Sequence, residues 1–125
     1  MNYTELEIFQ GIDLTDSFVL FWEFKDRCLS LDLEASVWPE SRYYSKPKED
    51  EFTCYKKVRL EFLNIESIQG LKEMSKITPS TDQFGEIDYG NIDSLIIEEG
   101  GFVLEGDFGE VNIKGGRINF EFYRS

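Results

Sequence analysis

The chain has 125 residues, with 13 Lys and Arg against 25 Asp and Glu, so its formal net charge is −12. Its hydrophobic fraction of 41% is too high for a disordered chain, and its length suits one ordinary domain, so we predict a single β-rich domain over residues 1–125. The charge excludes nucleic acid and anionic membranes as favoured partners, because both are polyanions. It favours a basic protein partner instead, and its simpler interpretation is that the charge only keeps the protein soluble.

The first ten residues, MNYTELEIFQ, carry neither the basic nor the apolar segment of a secretory signal. No apolar run approaches the roughly 20 residues that a membrane span needs. The two cysteines, Cys28 and Cys54, are too far apart in sequence for a clustered zinc motif. We expect them to be reduced and buried, with a disulfide as the alternative, and therefore predict a cytoplasmic protein.

A β-hairpin is predicted over DSFVLFWEFKDRCLSLDLEASVW, with its turn at residues 25–27. The first arm is apolar on both faces, so we expect it to be central or covered. One face of this arm takes Phe18, Leu20, Trp22 and Phe24, and the other takes Val19, Phe21 and Glu23. The second arm alternates cleanly, and its dry face takes Leu29, Leu31, Leu33, Ala35 and Val37.

The next segment, PESRYYSKPKEDE, combines two prolines with dense charge and is a predicted loop. A third long strand is predicted from Phe52 to Ile65, with Val58, Leu60 and Phe62 on its dry face. The following connection has weak periodicity and holds at most a short helical turn around Leu71 to Ser75.

The last third of the chain contains the short β-type runs SLIIEE, FVLEGDF, EVNIK and RINFEFY. Paired glycines at 100–101 and 115–116 suit the positive φ angles of two-residue hairpin turns. The apolar residues have even numbers before Gly109 and odd numbers after it, and this switch predicts a β-bulge or bend there. We therefore predict an all-β or β-rich α+β fold, an antiparallel β-sandwich or strongly curved sheet of six to seven strands with little helix.

Two groups of residues are candidate partner-binding sites. The predicted solvent-facing positions of the late strands form an acidic sheet face, Glu105, Asp107 and Glu121, whose simpler interpretation is a solvated surface. The second group, Trp38, Tyr43 and Tyr44, lies in or beside the charged loop. Exposed aromatic side chains anchor protein interfaces, although these three could equally fold back over the rim of the core.

The segment DQFGEIDYGNID gives an alternative of a different class. Its carboxylates could bind a small ligand or a cation, or serve a hydrolase of unknown substrate; they are Asp82, Glu86, Asp88 and Asp93. It is not an EF-hand loop, because Ile87 stands where that loop requires glycine. The chain has no histidine, which removes the commonest general base and metal ligand. We predict no enzyme, no cofactor and no metal.

The segments GIDLTDSFVLFWEF, CYKKVRLEF and EGDFGEVNI resemble a family of small uncharacterised bacterial proteins. More loosely, their order is similar to the β-rich immunity proteins of bacterial polymorphic-toxin systems. Many of those proteins carry a histidine before the aspartate that matches Asp16, where this chain has Thr15. The resemblance implies a non-enzymatic protein that binds and blocks a partner. From the acidic sheet face and the aromatic loop we expect that partner to be basic, for example a toxin nuclease. A homo-oligomer joined through an exposed strand edge is a further alternative.

Overall fold

The fold is all-β in the part of the chain that this computed structural model describes, residues 1–47, 49, 53–81 and 85–123. Its ten strands are β1 (Ile12–Lys25), β2 (Cys28–Val37), β3 (Cys54–Leu63), β4 (Ser67–Gln69), β5 (Ser80–Thr81), β6 (Ile87–Asp88), β7 (Ile92–Glu98), β8 (Gly101–Gly106), β9 (Gly109–Lys114) and β10 (Arg117–Phe122). The helical content of these ranges is three short 3₁₀ turns, Tyr3–Glu5, Glu7–Phe9 and Met74–Lys76. The predicted all-β fold with little helix is confirmed, and seven strands of six residues or more match the expected number.

The longer strands form two four-stranded antiparallel sheets. The first sheet has the order β1-β2-β3-β10 and the second has the order β4-β9-β8-β7, while β5 and β6 pair as a small ribbon. β3 and β10 are neighbours, although residues 64–116, which contain the whole second sheet, separate them in the chain. The more specific prediction of a sandwich or curved sheet stays a prediction.

The first hairpin is confirmed, and its turn consists of Asp26 and Arg27 with φ angles of 52° and 63°. The predicted dry faces of β2 and β3 are buried as expected. The start of the third strand was predicted at Phe52, which lies outside the described residues; the strand as described begins at Cys54.

The predicted faces of β1 are wrong. A register shift between Val19 and Phe21 inserts an extra residue, so Val19 and Trp22 are both buried although they differ in parity. β1 is also an edge strand and not a central one. Part of that edge is covered, because Val19 exchanges backbone hydrogen bonds with Tyr89 and Gly90. Phe21 stays 42% exposed.

The glycine-rich late segment differs from prediction at Gly109. The structure has no bulge there, because Asp107 and Phe108 form the two-residue turn of the β8–β9 hairpin, in which Gly106 pairs with Gly109. The parity of the apolar residues switches because the chain reverses direction at this turn.

The glycine pair at 115–116 has the predicted positive φ angles, 74° and 87°, but it does not close a hairpin. Instead it carries the chain from β9 in the second sheet to β10 in the first. A Cβ atom on Gly116 would lie 2.4 Å from the carbonyl oxygen of Leu63. This crossover therefore has no room for a side chain.

One cluster of buried side chains draws on both sheets. The rings of Phe62 and Phe102 meet edge to face with centroids 5.1 Å apart, and those of Trp22 and Phe108 are 5.9 Å apart. Both cysteines are unpaired, as predicted; Cys54 is buried, whereas Cys28 is only half-buried. No helix within the described ranges is long and apolar enough to cross a membrane.

Candidate functional site

A groove of about 390 Å³ lies beside the last strand of the first sheet, and we call it the β10 groove. Its apolar and aromatic lining comprises Ile8, Ile12, Tyr43, Phe120 and Phe122. Four elements contribute to it: the second 3₁₀ turn, the start of β1, the loop after β2, and the inward face of β10. Ile8 and Tyr43 are 46% and 43% exposed, so the groove presents apolar side chains to solvent beside its polar ones.

The N-terminal 3₁₀ turns form one wall of the groove. Asn2 and Glu5 begin the first turn with a capping box, in which the Asn2 side chain accepts from the Thr4 N–H and Glu5 accepts from the Asn2 N–H. The rings of Tyr3 and Phe9 pack edge to face with centroids 5.4 Å apart, and the ring centroids of Phe9 and Phe120 are 5.0 Å apart. These aromatic contacts fix the position of Ile8 relative to β10.

The loop after β2 forms another wall. The Trp38 N–H donates to the Gly11 carbonyl, and the buried Ser41 donates its N–H to the Trp38 carbonyl. A Cβ atom on Gly11, whose φ is +74°, would lie 2.4 Å from the Ser41 nitrogen, so only glycine allows this close approach. Tyr43 then stacks on Phe122 with ring centroids 3.9 Å apart.

The β10 strand has a strand neighbour on one side only among the described residues. Tyr123 lies opposite Lys57 in the register with β3, and its N–H donates to the Lys57 carbonyl. Antiparallel pairs alternate between bonded and non-bonded positions. The N–H and C=O groups of Asn119 and Glu121 therefore face β3, and those of Ile118, Phe120 and Phe122 face the open edge.

Charged side chains surround the apolar lining. Glu7 and Glu40 lie at the rim, and Arg42 lies with them. The Arg42 guanidinium donates to the Tyr43 hydroxyl at 3.0 Å and sits 5.0 Å from the ring centroid, so it is held against this ring. The two exposed carboxylates give the groove a place for a basic group from a partner.

The opposite face of the first sheet carries a polar cluster. Asp32 Oδ1 accepts from the Tyr123 hydroxyl at 2.6 Å and from Arg59 Nε at 3.3 Å. The hydrogen bond with Asp32 raises the pKa of Arg59, and burial, followed by the bond to Asp32, raises the pKa of Tyr123. This cluster orders the surface next to Glu121, which pairs with Arg59 across the strands.

The predicted acidic sheet face is not one face. Glu105 on β8 and Asp107 in the β8–β9 turn belong to the second sheet, whereas Glu121 belongs to the first. Glu105 lies opposite Glu110, so two like charges face each other across that hairpin. The sequence shows which carboxylates are solvent-facing but not which sheet holds them.

The predicted aromatic loop is close to the groove. Tyr43 lines the β10 groove, and Trp38, 48% exposed, lines a neighbouring depression that shares Glu7 and Glu40 with it. Tyr44 is half-buried against the core. Sequence reasoning missed Ile8, Phe120 and Phe122, because no local signal marks β10 as an edge strand.

The alternative cation site has little support. Asp82 lies outside the described residues, and Asp88 accepts from the Gly90 N–H at 2.9 Å within its own turn. Glu86 and Asp93 are exposed. In the ranges that the structure describes, no three acidic or cysteine side chains come together in a group that could hold a metal ion.

The comparisons with known proteins give no relative. No protein-family model matches the chain, and neither a curated protein nor a solved structure matches it. The resemblance to immunity proteins therefore stays a prediction.

Proposed function

We propose that this chain is a non-catalytic acidic binding protein that engages a basic protein partner at the β10 groove. The observation that carries this proposal is the groove itself, where exposed Ile8 and Tyr43 meet Phe120 and Phe122 beneath a rim that includes Glu7 and Glu40. An apolar centre with a charged rim is the common anatomy of protein interfaces.

The charge of the whole molecule supports the same partner class. A formal net charge of −12 attracts a basic surface over distances comparable with the Debye length, about 10 Å at 0.1 M salt. The charge raises the rate of encounter, and the apolar groove supplies contact area once the two surfaces meet.

An immunity-type inhibitor is the specific role that we propose. A nuclease binds a polyanion, so its substrate surface carries Lys and Arg. An acidic protein that covers such a surface blocks substrate without any catalysis. Two unpaired cysteines are consistent with a reducing compartment, which supports the proposal of a cytoplasmic location.

The proposal is tested by capturing partners from the native cell lysate at low salt with three forms of the protein. They are the natural sequence, the variant Glu7→Gln/Glu40→Gln at the groove, and the variant Glu98→Gln/Glu99→Gln at the exposed β7–β8 turn. Both variants lose two negative charges, so they differ only in where the charges are lost. The binding of the captured partner is then measured with each form.

We expect a basic partner that binds the natural protein and the β7–β8 turn variant equally. The groove variant should bind about tenfold more weakly, because each exposed charge pair contributes up to about 1 kcal/mol. Equal weakening by both variants would show that net charge acts without a site. A partner whose association rate is the same at low and high salt would contradict the proposal.

A further inference from the structure

We infer that the open edge of β10 accepts an extended segment of the basic partner as an added strand, with apolar side chains facing inward and basic side chains facing outward. This inference rests on the proposed function and specifies how the partner binds. Strand addition uses backbone hydrogen bonds for affinity and alternate side chains for specificity.

The other sheet edges of the described chain are covered or blunted. Residues 1 and 2 cover β7, because Asn2 forms a bridge with Ile96 and residue 1 exchanges hydrogen bonds with Ile97. β1 has two register shifts, and its Trp22 N–H points to the Met74 sulfur at 3.4 Å. β4 has three residues only. Proteins commonly protect edges in these ways.

β10 differs from those edges. It pairs with β3 over six consecutive residues with no register shift, so its outer side is regular. The outward N–H and C=O groups of Ile118, Phe120 and Phe122 form the pattern that a second antiparallel or parallel strand needs. These are the positions whose side chains point toward the interior face of the sheet.

The side chains around this edge specify the sequence of the added strand. Its inward residues would lie next to Phe120 and Phe122, which line the β10 groove, and so should be apolar. Its outward residues would lie next to Arg117, Asn119 and Glu121 on the other face of the sheet, so the residue beside the exposed Glu121 should be Lys or Arg. A segment with alternating basic and apolar residues satisfies both faces.

Charge argues against a second copy of the chain as the occupant. Two molecules that each carry a formal charge of −12 repel one another. A basic partner removes that repulsion. Concentration-dependent dimerisation in light scattering, abolished by substitutions in β10, would overturn the inference in favour of a homodimer.

The test uses a short peptide of about seven residues with Lys alternating with Val and Phe, a typical strand length. A peptide with the same residues in blocked order, Lys first, is the control for charge. Binding is measured by titration, and hydrogen exchange of the β10 amides is followed by NMR. We expect the alternating peptide to bind more tightly and to slow exchange at Ile118, Phe120 and Phe122 by about tenfold, because bonded amides exchange only on opening.

Asn119 and Glu121 provide the internal control, since their N–H groups already face β3. Exchange at these two amides should change little. Binding of the alternating peptide without slower exchange at the three outward amides overturns strand addition, but leaves a basic partner at the groove in place. Failure of both peptides overturns strand addition, and the lysate capture then decides the proposed function separately.

A pair of variants tests the backbone directly. Ile118→Pro removes one outward N–H, whereas Ile118→Ala removes most of the same side chain and keeps the N–H. Proline is tolerated on an edge strand where its nitrogen faces solvent. We expect Ile118→Pro to weaken peptide binding about fivefold relative to Ile118→Ala, the effect of one hydrogen bond. Equal affinities would overturn the inference, and circular dichroism confirms that both variants fold.

Discussion

Tyr3 is the residue that fastens the N-terminal turns to the first sheet. Its hydroxyl accepts a hydrogen bond from the Leu14 N–H at 3.0 Å, and its side chain is almost fully buried. A buried backbone N–H needs an acceptor, so this phenol oxygen satisfies a group that β1 leaves without a strand partner. The same residue packs on Phe9 and so helps to place one wall of the β10 groove.

The substitution Tyr3→Phe should lower the free energy of unfolding at pH 7 by about 1–3 kcal/mol, because the Leu14 N–H is left buried without an acceptor. Tyr43→Phe is the matched control. The Tyr43 hydroxyl is also hydrogen-bonded, but it is exposed, and its loss should cost about 0.5 kcal/mol or less. Urea denaturation measures both.

The difference in the free energy of unfolding between the natural protein and Tyr3→Phe should depend on pH. Burial, as the largest cause, raises the pKa of Tyr3 above its ordinary value, which is about 10. The neutral phenol therefore stabilises the fold fully below pH 10, and this contribution is lost as the pH rises through the raised pKa. We expect the two stability curves to converge above pH 10. A constant gap would contradict the assigned burial.

At the scale of the strands, the sequence predicts a strand well when one of its faces is buried along its whole length. The alternation of β2 and β3 is visible because one face of each is continuously buried. The faces of β1 could not be predicted, because its register shifts arise from the pairing with β2 and leave no mark in the sequence. The glycine pair at 115–116 predicts the positive φ angles, but it does not predict that the next strand lies in the other sheet.

The candidate site shows the same limit. Tyr43 was predicted from its residue type and its loop, both of which are local features. Ile8, Phe120 and Phe122 become a site only because β10 is an edge strand and the N-terminal turns lie beside it, which are properties of the topology. The prediction that Glu105, Asp107 and Glu121 share one face fails for the same reason. Alternation along a strand indicates which side chains face solvent, but not which sheet the strand joins.

The crossover at 115–116 should be more sensitive to substitution than the β7–β8 turn. Gly116→Ala places a Cβ atom 2.4 Å from the Leu63 carbonyl oxygen, whereas Gly100→Ala meets no atom within 4 Å at a similar φ of +80°. Both variants bear the cost of a positive φ, about 1–2 kcal/mol. We expect Gly116→Ala to be the less stable by at least a further ~1 kcal/mol in urea denaturation. Equal losses would show that the crossover can shift without cost.

At the scale of the whole molecule, self-repulsion limits stability. The formal charge is −12, and the ion pair between Arg59 and Asp32 is partly exposed. Salt screens repulsion between surface charges, so it should stabilise the folded state. We expect the melting temperature to rise between about 20 mM and about 500 mM NaCl, by roughly 3–5 °C for each 1 kcal/mol gained.

The matched variant for this experiment is Glu105→Gln. Because Glu105 faces Glu110 across the β8–β9 hairpin, the substitution removes one repulsive pair and should raise the melting temperature at low salt. The rise in its melting temperature on adding salt should be smaller than that of the natural protein. A melting temperature that falls with salt would indicate that attractive pairs dominate.

In the sequence, the whole second sheet lies between β3 and β10, so we expect the first sheet to be completed late in folding. The three strands β1 to β3 are consecutive and can associate early, because their loops are short or moderate in length. β3 must then wait for β10, from which it is separated by residues 64–116. Until that long loop closes, β3 is itself an open edge. We therefore expect the nascent chain to expose an unpaired strand edge that the finished fold covers, and early binding at that edge would compete with β10 for its place.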